Sequence, residues 1–170
     1  MTSLRTYIEL CRVSNLPTVW SNVLTAVILS GEPFSWGVFF TLALSLSLFY
    51  SAGMALNDIC DAAIDRIQRP TRPIPSGRIT PVAAYLLMGS LFVAAFILLF
   101  AFPHISSVFS GFLLLLLIIL YDVYHKGNPA SVLLMAACRA MVYVVAACAI
   151  VGTVSSPVLA IAMIHSTALR

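Results

Sequence analysis

Charge is what this sequence has least of. Nine basic and six acidic residues make up 9% of its 170 positions, against 61% apolar residues and a mean hydropathy of +1.04. A water-soluble domain of that length covers its surface with polar groups, and so few charges exclude one. Cysteine is also sparse. Cys11, Cys60, Cys138 and Cys148 show no CxxC spacing, so neither a zinc site nor a disulfide framework is signalled, and they read as small apolar fillers. A removable leader is not expected either: Met1 to Asn15 carries Arg5, Glu9 and Arg12 without a short apolar core before a small-residue cleavage site, so the first helix is expected to be retained. The net charge of +3 is spread over loops rather than gathered in a stripe with interleaved aromatics, which argues against nucleic acid as a partner. His104, His125 and His165 lack partners at metal-ligand spacing.

What the chain does have is long apolar runs, and these predict an all-α, polytopic transmembrane bundle forming a single membrane domain over residues 1–170. A hydrocarbon core of about 30 Å takes roughly 20 residues at 1.5 Å each. Counting on that basis gives five complete spans: Leu16 to Gly31, Gly37 to Leu56, Val82 to Phe102, Ser107 to Leu120 and Ser131 to Val151. The first is the weakest and is expected to continue back through the amphipathic stretch Thr6 to Val13 at the interface. The break Pro103-His104-Ile105 predicts an antiparallel pair, and Pro157 to Ile164 opens a truncated sixth segment. Arg5, Arg12, Arg66, Arg69, Arg72, Arg78 and Lys126 all fall on alternate loops, while the other loops hold no Lys or Arg. Loops that stay cytoplasmic keep such residues, so the N-terminus and the Asp-rich loop are expected in the cytoplasm.

Chemistry concentrates between Asn57 and Thr80, where Asp58, Asp61, Asp65, Arg66, Arg69, Arg72 and Arg78 lie. The aspartates, at i, i+3 and i+7, follow one helix face over about 10 Å, with Asn57 one turn from Asp61. Carboxylates so close repel unless a cation neutralises them. Hard oxygen ligands suit Mg²⁺, which keeps waters and borrows oxygens from a phosphate. The pattern therefore predicts Asp58, Asp61 and Asp65 as metal ligands to a phosphate or diphosphate. The arginines supply fork-shaped donors to phosphate oxygens, on a loop stiffened by Pro70, Pro73 and Pro75. Taken alone, those arginines read better as a solvated face that fixes topology.

Arg139 lies about nine residues into the fifth span, where an unpaired charge costs a few kcal/mol, so it is expected to face the bundle interior. There it serves either a buried carbonyl or acid, or a substrate anion. Lys126, in the loop from Tyr121 to Asn128, is expected on the same side as the aspartates, as a phosphate contact or a topology marker.

The run Asn57-Asp58-Ile59-Cys60-Asp61-Ala62-Ala63-Ile64-Asp65, followed by Arg69-Pro70 and Arg72-Pro73-Ile74-Pro75-Ser76-Gly77, resembles the first signature of UbiA-type membrane prenyltransferases. Asn15-Leu16-Pro17-Thr18 with Trp20 and Asn22 resembles that family's first helix, and Pro17 to Asn22 is similar to its EboC-like branch. The resemblance implies a helical bundle around a cavity open to the membrane, and Mg²⁺-dependent transfer of a prenyl group from a polyprenyl diphosphate to an aromatic or other small acceptor. Asp58 and Asp61 would be catalytic, holding Mg²⁺ with Asp65. Asn57, Arg72, Lys126, Arg139 and Asn22 would contact substrate.

The family's second aspartate-rich motif has no match. Asp122 is the lone acid after Asp65, in surroundings unlike that motif. The resemblance thus covers about the first half of the fold, and the chain is expected to be inactive or incomplete alone, either a truncated product or one completed by a second polypeptide. Two rivals were weighed. CDP-alcohol phosphotransferases carry a DGxxAR pattern with a later GxxxD, absent here. A transporter or channel subunit would place its acids along a pore within a span, whereas these follow Leu56 and adjoin arginines.

Overall fold

The structure, a computed structural model, describes residues 4–124, 128 and 131–154. It is helical throughout the described residues: α1 (Leu4–Leu10), a 3₁₀ turn (Val13–Asn15), α2 (Leu16–Leu29), α3 (Trp36–Gln68), α4 (Pro81–Phe100), α5 (Ser106–Tyr124) and α6 (Ser131–Ile150). Four of these, α3 to α6, are long and apolar enough to cross a membrane. The expected count of five complete spans is not what is seen. The first apolar helix is short, 14 residues in α2, because Gly31 adopts a left-handed turn (φ 77°) just beyond its end. It does not continue back through Thr6 to Val13 either. Arg12 takes a left-handed backbone (φ 46°, ψ 47°) that separates α1 from the helix that follows. Pro157 to Ile164 lies outside the described residues.

The largest difference from expectation concerns α3. The helix does not end where the span does, at Leu56, and the aspartates do not sit in a loop: one helix of 33 residues runs from Trp36 through Gln68. At 1.5 Å per residue it is about 50 Å long, some 20 Å more than a hydrocarbon core. An aromatic cluster opens it, with Trp36 stacked on Phe40 (5.8 Å) and edge-on to Phe34 (5.0 Å), the composition of an interfacial belt. Measured from that belt, the helix leaves the apolar slab near Leu56. The hydropathy change there marks an interface rather than a helix end.

What ends α3 is proline. Arg69, before Pro70, is turned out of the helical conformation (φ −143°, ψ 61°), and Pro73 and Pro75 keep the chain from re-entering a helix. The loop folds back instead, turning at Gly77 (φ 74°), a conformation glycine adopts without a Cβ clash. It buries Ile74 and Ile79 against Leu10 of α1, Ala55 of α3 and Ala84 of α4. Helix α4 then starts on Thr80, whose hydroxyl accepts from the Ala83 amide (3.2 Å), with Pro81 in its first turn.

Within the slab, small residues bring the backbones together, as expected where lipid removes any apolar driving force between helices. Ala52 and Gly53 on α3, Ala95 on α4, Gly111 on α5 and Ala146, Ala147 and Ala149 on α6 are all buried. A Cβ on Gly111 would stand 2.6 Å from Leu99 Cδ1. Hydroxyls bond across the contacts: Ser45 donates to the Ala95 carbonyl (3.0 Å) and Ser106 to that of Gly152 (2.9 Å). Leu86, Val93, Ile97 and Phe100 stay exposed along one face of α4, the face left to lipid.

Candidate active site

The extramembrane end of α3 carries its acids on a single stripe, and the proline loop is folded over it. Asp58 and Asp65 are each only 4% exposed. Arg72 joins them: its Nη1 lies 2.5 Å from Asp65 Oδ2 and 3.3 Å from Asp58 Oδ1. A second guanidinium, Arg12, reaches the same Asp58 oxygen at 3.0 Å. The left-handed backbone at Arg12 is thus the bend that sets a cation over the acid stripe. Asp61, on the same stripe, is partly buried. Among the described residues no three His, Cys, Asp or Glu side chains stand grouped to hold a metal ion. The donor set nevertheless fits Mg²⁺. The oxygens are hard, and one nitrogen already touches an oxygen of each of two carboxylates, so one cationic centre spans both.

A second clamp holds the loop from outside. Arg78 donates to both oxygens of Glu9 on α1 (2.7 and 3.0 Å) and to the Thr71 carbonyl (2.6 Å). That hydrogen bond, more than the charge alone, holds the Glu9 carboxyl below its ordinary value, against a smaller opposing effect of burial.

Below the acid stripe, between α2, α3, α5 and α6, lies a cavity of about 620 Å³. Phe49, Leu46, Leu114, Ile118 and Val142 give it apolar walls, and its polar groups are few: Arg12, Asn22, Asn57, Tyr121, Asp122 and Arg139 among them. A small number of convergent polar groups in an apolar pocket is the usual make-up of a ligand site. Arg12 links the two regions, lining the cavity while bonded to Asp58. Asn57 links them again, since its buried amide donates to Asp122 Oδ1 (3.2 Å) one residue before Asp58. Asn22 accepts from the Tyr143 hydroxyl (3.4 Å). Arg139 faces the cavity as expected, with Met135 Sδ 4.0 Å from its Nη2.

Of the residues expected from sequence, Asn57, Asp58, Asp65 and Arg72 come together, and Asn22 and Arg139 line the adjoining cavity. Lys126 lies outside the described residues. The Asn57 to Asp122 bond does place the end of α5 beside the acid stripe, on the expected side. Arg12 and Asp122 were not expected in the site. Nothing local in the sequence pairs Arg12 with an acid 46 positions on. Asp122 did carry a signal, as the lone acid of an apolar half.

The UbiA prenyltransferase family model matches residues 14–169. The chain belongs to the UbiA prenyltransferase family. Among similar proteins is the digeranylgeranylglyceryl phosphate synthase of Haloquadratum walsbyi, 34% identical over 128 residues, covering 75% of this chain and 44% of the relative. The protein of the same name from Methanosarcina barkeri is 34% identical over 140 residues, covering 75% and 48%. This UbiA-family chain therefore spans less than half the length of those curated relatives. Two solved structures share the fold. One, described as digeranylgeranylglyceryl phosphate synthase in membranes, has a TM-score of 0.84 at 24% identity, covering 98% of this chain and 59% of its own. The other, a UbiA homologue from Archaeoglobus fulgidus bound to GPP and Mg²⁺, has a TM-score of 0.71 at 16% identity, covering 95% and 59%. The family match does not favour the pore reading. The acids do lie on a continuous helix, but beyond the stretch of α3 that crosses the apolar slab.

Proposed function

We propose that this chain forms the diphosphate-binding part of a Mg²⁺-dependent membrane prenyltransferase, as a single membrane domain with its N-terminus and acid stripe on the cytoplasmic side. Asp58, Asp61 and Asp65 would hold the metal, with Asp58 and Asp61 at the catalytic centre. Mg²⁺ bound there neutralises charge that builds on a departing diphosphate. The chain's own residues do the rest. Arg72 leaves the carboxylates for the phosphate oxygens its planar fork matches, and Lys126 adds a second cation. Asn57 keeps the end of the cavity in register with the acid stripe. The apolar walls take the prenyl tail and exclude water that would quench an allylic cation. Asn22 and Arg139 meet the acceptor, Arg139 through an anionic group.

The observation that carries this reading is the single guanidinium spanning Asp58 and Asp65, with Arg12 bonded to the same Asp58 and lining the adjoining apolar cavity. The GPP and Mg²⁺ of the Archaeoglobus fulgidus homologue support it. The name shared by the two relatives favours a glyceryl phosphate acceptor over an aromatic one. The test is retention of radiolabelled GPP by the purified chain in detergent. Retention is expected to need Mg²⁺ and to be lost in Asp58→Ala and Asp61→Ala. Equal retention by all three proteins would remove the site.

A further inference from the structure

One group in the cavity has no part in binding a diphosphate. Asp122 is 3% exposed, near the end of an apolar membrane helix, and lines the cavity. A carboxylate placed there is costly, and such residues mark function by default. Its bland reading is a tie between α5 and α3, since Asn57 Nδ2 donates to it at 3.2 Å. An amide or hydroxyl at position 122 would accept that bond without burying a charge, so the tie alone does not account for an aspartate. What singles it out is position. Asn57, which fixes one of its oxygens, immediately precedes Asp58, so the carboxylate sits where the cavity meets the acid stripe.

Resting on the reading above, we propose that Asp122 is the base that receives the acceptor's hydroxyl hydrogen, which makes this cavity a site for an alcohol or phenol nucleophile. The balance is simple. The acceptor O–H bond breaks and its proton passes to the Asp122 carboxylate. The oxygen's electron pair forms the bond to the first prenyl carbon, and the bond from that carbon to diphosphate breaks with its pair leaving on the diphosphate. Nothing is oxidised or reduced. Asn57 acts as a positioning residue, holding the carboxylate toward the junction.

The proposal is tested with the full chain in detergent, GPP, Mg²⁺ and two acceptor probes. One is a glycerol phosphate monoether lipid, which must lose a hydroxyl proton. The other is a nitrophenol assayed above its own pKa, which has already lost it. Asp122→Asn keeps an acceptor for the Asn57 amide. It is expected to lower kcat with the alcohol on the order of 100-fold or more, to leave KM near its original value, and to leave both nitrophenolate transfer and Mg²⁺-dependent GPP retention intact. Asp122→Glu, with a carboxylate one carbon further out, is expected to recover part of the alcohol reaction. Equal loss with both acceptors overturns the proposal, as does no loss with the alcohol or a glutamate variant no better than the amide one. The proposal requires that this chain complete the transfer without a second half, so GPP retention by the unaltered chain with transfer to neither probe also overturns it and leaves the diphosphate site standing. Failure of the unaltered chain to retain GPP removes the underlying reading instead.

Discussion

Arg72 donates to Asp65 at 2.5 Å across a seven-residue separation that includes the end of α3, and the same nitrogen reaches Asp58. The pair closes the proline loop onto the acid stripe with the cation in the place a divalent ion would take. Two buried carboxylates a turn or two apart are tolerable only while something positive lies between them.

Replacing Arg72 by alanine leaves Asp65 without that cation and Asp58 with Arg12 only. The expected cost is about 1–3 kcal/mol, since the pair is largely but not wholly buried. It is measured as a lower Tm in detergent. Millimolar Mg²⁺ is expected to raise the Tm of Arg72→Ala more than that of the unaltered chain, because the ion no longer competes with a guanidinium for the carboxylates. Equal shifts would show that Arg72 and the cation occupy different oxygens.

Gly53 lines the cavity beside Ile118, where a Cβ would stand 3.2 Å from Ile118 Cγ2. Gly53→Leu therefore forces Ile118 aside and fills part of the apolar pocket, away from the acid stripe. Retention of a geranylgeranyl diphosphate is expected to fall more than that of geranyl diphosphate, because the longer tail needs the occupied space. A variant that retained both equally well would place the tail elsewhere.

How much of this was legible in advance depends on how local the cause is. The apolar runs behind α3 to α6 follow from the thickness of a bilayer, and the proline-bounded loop follows from backbone sterics, so both were readable. The end of α3 was not readable, because hydropathy reports where lipid stops, near Leu56, whereas helix propensity continues unbroken from Asn57 to Gln68. The acid stripe was visible as a spacing. Its partners were not: Arg12 meets Asp58 only because a left-handed bend and a packed loop bring them together. Asp122 looked out of place from sequence, and its bond to Asn57 over 65 positions gives the reason.

The clamp between Arg78 and Glu9 ties the loop to α1 and gives a pH dependence of definite sign. The Glu9 carboxyl is held below its ordinary value of 4.5, chiefly by the Arg78 hydrogen bond. A depressed acidity means that the clamp's contribution is fully present above the ordinary glutamate value and fades as pH falls through the folded one. The unaltered chain is thus expected to melt slightly above Glu9→Gln at neutral pH, and the two curves to converge on acidification below that range. The gap is expected to be small and to shrink in salt, since both side chains are exposed. A gap unchanged by acid would show that the clamp contributes nothing to stability.

Arg139 makes the sharpest contrast between stability and binding. Among the described residues it has no carboxylate partner, and its recorded contact is the Met135 sulfur at 4.0 Å, in the middle of an apolar helix. Holding a guanidinium at that depth costs a few kcal/mol, and an anionic acceptor group would repay it. Arg139→Met keeps the length of the side chain and removes the charge. It is expected to raise the Tm in detergent by the equivalent of about 1–3 kcal/mol. The same substitution is expected to weaken binding of a glycerol phosphate monoether lipid by roughly ten- to a hundredfold, the worth of one charge-assisted hydrogen-bonded contact. Titration of that lipid against the cavity-lining tyrosines' fluorescence reads the affinity without requiring turnover. A methionine variant that is less stable and binds as well would mean that Arg139 braces the bundle and meets no ligand.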